Sequence, residues 1–224
     1  MKTKNKPEFI VMLTHNDRTV ENAKQIFDMC RDTAAKCWGF KEHPLPLEEM
    51  KALYTKMKAQ GKTTFLEVVA YTEEEGLAGA QMAVKCNCDV LMGTKYFDSV
   101  NEFCKSHNLK YMPFVGNITG RPSILSGDIE QMIDEAKDYL KKGVYGIDLL
   151  AYRYQGDASL LVRQFVREVP APVCIAGSVN SLERLDELKA AAPWAFTIGG
   201  ALFENKFGET IAEQVDFVCE YISR

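Results

Sequence analysis

Three ionisable side chains stand in strongly apolar surroundings. Glu67 lies in Thr-Phe-Leu-Glu-Val-Val, Asp148 in Gly-Ile-Asp-Leu-Leu, and Lys41 closes Cys-Trp-Gly-Phe-Lys. A carboxylate left unpaired in such a setting is costly and rises toward the pKa range of a general acid or base. A structural ion pair is the plain alternative. A lysine among apolar walls either drops toward neutrality and serves as proton shuttle or amine nucleophile, or pairs with a carboxylate, stays charged and polarises a carbonyl. Lys41 shares a face with Gly39 by period-two alternation, a small residue that leaves room for substrate. A solvated lysine at the start of a loop is its plain alternative. Lys41, Glu67 and Asp148 are the catalytic candidates.

A second group binds rather than reacts. Ile-Ala-Gly-Ser-Val-Asn-Ser (175–181) and Phe-Thr-Ile-Gly-Gly-Ala-Leu-Phe (196–203) are two glycine-rich turns near the C-terminal end of the sequence. Gly177, Ser178, Gly199 and Gly200 would let backbone N–H groups approach an anion, with a short helix starting near Ala201 aimed at the same point. Tight turns with no ligand are the alternative. His15, Lys95, Asn117, Arg121, Tyr152 and Arg153 are candidate substrate ligands, the guanidiniums gripping carboxylate, phosphate or sugar oxygen.

The elements that must position these groups are legible as an alternation. Short β-branched apolar runs at 9–13, 37–40, 64–69, 90–92, 111–115, 146–150, 173–176 and 195–198 read as strands. Amphipathic stretches between them, such as 20–33, 46–59 and 129–142, read as crossover helices. Asp128 and Ser181 are good N-caps and Gly143 a C-terminal stop. Eight βα units predict an α/β fold, a (β/α)8 TIM barrel with a parallel eight-stranded barrel, as one domain over 1–224. An open doubly wound sheet would carry a Gly-rich fingerprint after its first strand, where this chain has Leu-Thr-His-Asn-Asp. Barrel active sites form at the C-terminal ends of the strands, where the candidates fall. The segment 116–128, rich in Gly and Ser, is expected as an irregular, mobile loop over the site.

With IAGSVNS and FTIGGALFE the sequence resembles the phosphate-binding barrels, the ribulose-phosphate-type superfamily of sugar-phosphate epimerases, mannosamine phosphate epimerases and aminoaldose isomerases. The resemblance implies a phosphate site in those two turns. In the mannosamine phosphate epimerases a lysine near the end of strand two works with a glutamate near strand seven. Lys41 falls at a similar place, whereas the strand-seven position is Gly177, so an acid or base partner must come from elsewhere. The orotidine phosphate decarboxylases carry Asp-x-Lys-x-x-Asp at strand three, which Leu-Glu-Val-Val-Ala-Tyr (66–71) does not match.

A net charge of -4, from 27 Lys and Arg against 31 Asp and Glu, argues against a basic surface for nucleic acid or anionic lipid. No apolar run approaches the length of a membrane span, and the opening residues read as leading into a strand and not as a signal peptide. Seven cysteines, an odd number within apolar segments, read as reduced buried thiols of a cytoplasmic protein, and no zinc-site spacing follows Cys86 and Cys88.

The expected function is an enzyme acting on a small phosphorylated, sugar-derived substrate, an isomerase or epimerase moving a proton beside a carbonyl. Its rivals are a Schiff-base aldolase (a lyase) with Lys41 as nucleophile and a non-catalytic phospho-ligand sensor. No organic cofactor is required and no metal is assigned. The expected partner is the small phosphorylated substrate, with neither nucleic acid nor membrane, and self-association into a homo-oligomer is allowed.

Overall fold

The computed structural model describes residues 6–224. Eight strands run parallel: β1 (Glu8–Met12), β2 (Cys37–Lys41), β3 (Thr63–Ala70), β4 (Val90–Thr94), β5 (Lys110–Met112), β6 (Ile147–Leu149), β7 (Val173–Ile175) and β8 (Ala195–Ile198). In the sheet β6, β7 and β8 lead into β1 and the order then continues to β5. The seam between β5 and β6 is bridged by the Asp148 N–H donating to the Pro113 carbonyl and the Tyr145 N–H to the Tyr111 carbonyl, both at 3.0 Å. The result is a nearly closed (β/α)8 barrel. Among the described residues no helix is long and apolar enough to cross a membrane.

Alternation divides the core into two clusters. Ile10, Met12, Cys37, Phe65, Val90, Met92, Met112, Cys174 and Ala195 point inward and plug the barrel. Trp38, Phe40, Leu66, Val68 and Leu91 face outward into the larger cluster beneath the helices. A Cβ at Gly39 would stand 2.8 Å from the Phe65 carbonyl oxygen and 2.9 Å from Met12 Sδ. The room expected there for substrate is therefore filled by the barrel's own side chains.

The helices are α1 (Ala23–Cys30), α2 (Leu47–Ala59), α3 (Glu73–Lys85), α4 (Asp98–Ser106), α5 (Ile129–Lys141), α6 (Ala158–Glu168), α7 (Leu182–Ala191), the single turn α8 (Gly200–Phe203) and α9 (Ile211–Ser223). Asp128 accepts from the Glu130 and Gln131 N–H groups at the start of α5, and Ser181 from Arg184 N–H at the start of α7. Gly143 follows α5 with a φ of +86°.

Two segments differ from expectation. Residues 116–128 form an antiparallel hairpin, Asn117–Thr119 with Ile124–Ser126, and not an irregular loop. Ile118 and Leu125 are buried, which docks it on the barrel. A second short pair, Thr14–His15 with Arg18–Thr19, sits directly after β1. Strand five ends at Met112 instead of residue 115, since Pro113 has no N–H to continue the ladder. All seven cysteines are free, and burial pushes the Cys30 thiol up to about 11 and the Cys37 thiol up to about 12.

Candidate active site

The site begins with the register of β2 on β3, which sets Lys41 opposite Glu67. Both side chains point inward above the apolar plug, and Lys41 Nζ lies 3.5 Å from Glu67 Oε1. A third group comes from the hairpin after β1. Asn16 and Asp17 occupy its two-residue turn with φ of 49° and 63°, the paired left-handed conformation of a type I′ turn, which Asn and Asp tolerate. Thr19 stitches this hairpin to β2: its hydroxyl donates to the Lys41 carbonyl at 2.7 Å and accepts from the Lys41 N–H at 2.9 Å. Asp17 Oδ1 is thereby delivered to 2.5 Å from Lys41 Nζ.

Lys41 is only 7% exposed. Burial opposes its charge, but Glu67 and Asp17 outweigh that cost and hold the ammonium above the ordinary lysine value. Glu67 depends on Gly93, whose φ is +93° and at which a Cβ would meet Glu67 Cγ at 2.9 Å. The pairing of β3 with β4 shifts register between Glu67 and Ala70 at this point.

Asp148 on β6 is 1% exposed, and neither carboxyl oxygen has a hydrogen-bond partner. Burial first, then the neighbouring charge of Glu67, raise its pKa well above the usual range, against a smaller opposing pull from Lys41. Its environment favours the neutral form, and it does not line the cleft.

Lys41 and Glu67 open into a cleft of about 520 Å³, a size that suits a small molecule. Its far wall is made by the turns after β7 and β8. Gly177 has a φ of +82° and Ser178 of +58°. A Cβ at Gly177 would press on Arg153 Cγ at 2.9 Å, and one at Gly199 would stand 2.9 Å from the Thr14 carbonyl oxygen. Both glycines are sterically required, and Gly200 lines the same wall. Arg153 lies over Gly177 and has no ion pair among the described residues. His15 also lines the cleft, stacked on Phe203, with Nε2 4.0 Å from Glu204 Oε1.

Of the other sequence candidates, Arg121 reaches the cleft from the tip of its hairpin. Lys95, Asn117 and Tyr152 do not line it. Lys95 Nζ sits 5.4 Å from the centre of the Tyr71 ring, and the Asn117 amide turns to Ser126 Oγ across its own hairpin. Tyr152 hydroxyl is drawn to Glu187 Oε2 at 3.0 Å, between helices. Asp17, Asn180, Thr197 and Glu204 line the cleft beyond the sequence candidates. The adjacent Asn16 and Asp17, suited to a two-residue turn, are the signal that could have singled out Asp17. Among the described residues no three His, Cys, Asp or Glu side chains are grouped to hold a metal ion.

No protein-family model matches the chain, and no curated protein matches it. Solved structures do. A thiamine phosphate pyrophosphorylase from Pyrococcus furiosus superposes with a TM-score of 0.69 at 15% identity, over 98% of this chain and 97% of the other. A 4-hydroxy-2-oxoglutarate and 2-dehydro-3-deoxyphosphogluconate aldolase gives 0.67 at 13%, over 96% and 94%. An N-acetylmannosamine-6-phosphate 2-epimerase from Clostridium perfringens gives 0.64 at 11%, over 87% and 86%. This chain has the fold of these TIM-barrel enzymes. At such identities the likeness fixes the architecture, while the chemistry must be argued from the cleft.

Proposed function

We propose that the protein is an enzyme acting on a small phosphorylated, sugar-derived substrate, and that it isomerises or epimerises it by proton transfer beside a carbonyl. The observation that carries this reading is the Lys41 ammonium, held between Asp17 and Glu67 on the floor of a cleft whose far wall is the Gly177–Ser178 and Gly199–Gly200 turns. Backbone N–H groups of those turns, with Arg153, would hold the phosphate. Glu67 takes the proton from the carbon next to the carbonyl, and the Lys41 ammonium stabilises the enolate oxygen that develops. Return of that proton to the neighbouring carbon, with the hydroxyl proton there passing to the enolate oxygen, completes an isomerisation, whereas an epimerisation requires a proton to reach the opposite face of the same carbon. Burial and the neighbouring Glu67 push Asp148 toward its neutral form, which limits the negative charge that competes at the floor.

The same geometry weighs against the aldolase reading. A Schiff base needs a neutral amine, and two carboxylates hold Lys41 in its charged form. The fold likeness to an epimerase and to an aldolase supports sugar-phosphate chemistry in general without choosing between the two. The test is deuterium wash-in from heavy water, followed by proton NMR, across a panel of aldose and ketose phosphates. Exchange at a carbon beside the carbonyl is expected in the wild type and lost in Glu67→Gln. Borohydride inactivation in the presence of substrate, with a covalent adduct at Lys41, would overturn the proposal in favour of the aldolase.

A further inference from the structure

The cleft does not end at Lys41. A second cavity of about 590 Å³ shares Asn16, Asp17, Lys41 and Arg121 with the first and extends away from the glycine turns, between the loops after β1 and β2 and the 117–126 hairpin. Arg18, Glu42, His43, Pro44 and Val69 complete its wall. Arg121 is aimed there by two contacts. One Nη2 donates to the Val69 carbonyl at 2.9 Å, and the guanidinium stands 5.2 Å from the centre of the Tyr71 ring. Lys95 approaches the same ring and adds positive charge.

A guanidinium carries five N–H donors, so the Val69 carbonyl leaves most of them open. Neither Arg121 nor Arg18 has an ion pair among the described residues. The acidic groups facing them do not cancel this charge. Asp17 is engaged by Lys41, Glu42 has one buried, unpartnered oxygen and is shifted by burial toward its neutral form, and Glu75, which feels the Arg121 charge, is turned to the Tyr71 and Thr72 N–H groups. Arg153, also without an ion pair among the described residues, belongs to the β7 side of the mouth, whereas Arg121 is tied to the end of β3. Strands three and seven are diametrically opposed in an eight-stranded barrel.

We infer that Arg121, with Arg18 beside it, forms a second anion-binding subsite, and that the substrate carries an anionic group at each end: a phosphomonoester in the glycine turns and a carboxylate or second phosphate against Arg121. The carbon to be deprotonated then lies between them, over Lys41 and Glu67. The inference rests on the proposed function for the phosphate end alone.

Calorimetric titration with four ligands and with inorganic phosphate tests it. Sorbitol 6-phosphate is compared with 6-phosphogluconate, and fructose 6-phosphate with fructose 1,6-bisphosphate, so that the two arms separate a distal carboxylate from a distal phosphate. At least one two-anion ligand should bind about tenfold or more tighter than its single-anion counterpart, the size of a charge-assisted hydrogen bond. Arg121→Gln should erase that gain while leaving inorganic phosphate affinity unchanged, and Arg121→Lys should restore part of it. Arg18→Gln, at an exposed residue, should lower the same gain and keeps the test decisive if Arg121→Gln loosens the hairpin. Equal affinity within both pairs, or a gain that survives both glutamine variants, overturns the subsite and leaves the phosphate turns standing. Failure of inorganic phosphate and of all four ligands to bind overturns the proposed function, and this inference with it.

Discussion

Replacing Lys41 by Met removes the one positive charge between two carboxylates while keeping most of the side-chain volume. In the structure Lys41 is 9% exposed in its side chain, Glu67 18% and Asp17 24%. Two opposite charges 4 Å apart attract by about 4 kcal/mol at an effective dielectric of about 20. Breaking a buried pair by deleting one partner costs about 3–5 kcal/mol. The carboxylates retain some solvent, so a loss nearer the lower figure is expected, read as a fall in the urea midpoint at neutral pH. Turnover should fall by about a hundredfold or more, the ordinary contribution of a general acid–base group. Binding of inorganic phosphate should hardly change, because β7 and β8 build that wall. The assay pairs deuterium wash-in with phosphate titration on the same preparation. A folded Lys41→Met protein that exchanges at the wild-type rate would refute the assignment of the ammonium to the enolate oxygen.

Gly199→Val drives a side chain against the Thr14 carbonyl and should block the proposed phosphate wall. Inorganic phosphate is expected to raise the melting temperature of the wild type and not of this variant, checked against an unchanged far-ultraviolet spectrum. Gly93→Ala, at a φ of +93° and against Glu67 Cγ, should destabilise by about 1–3 kcal/mol and lower turnover together. Denaturant melts and exchange rates check it. Asp148 has a folded-state pKa above its unfolded value, so the native state binds the extra proton. Its contribution is fully present below the unfolded value near 4 and is lost as pH rises toward the folded value. Asp148→Asn should therefore flatten the decline of stability with rising pH above about 4, measured by urea unfolding across that range. An unchanged slope would mean that Asp148 is ionised in the folded protein.

Much of this molecule follows from local sequence. Strand alternation, helix periodicity and the caps at Asp128 and Ser181 depend on neighbours a few residues away, so eight βα units can be read directly. The inward direction of Lys41, Glu67 and Asp148 follows from the same period of two. So do the glycines at 177 and 199, whose turns no bulky residue could form. What alternation cannot supply is which inward residue meets which. Lys41 reaches Glu67 through the β2–β3 register, and Asp17 reaches Lys41 through a turn pinned by Thr19, in the hairpin that follows the neighbouring strand β1. Lys95, Asn117 and Tyr152 have the right chemistry at strand ends or on adjoining loops, yet Tyr71, Ser126 and Glu187 draw them elsewhere. The direction of a side chain is a local property of the backbone, legible in sequence. Its partner is chosen by closure of the barrel and by competing long-range contacts, which exist only in the folded protein.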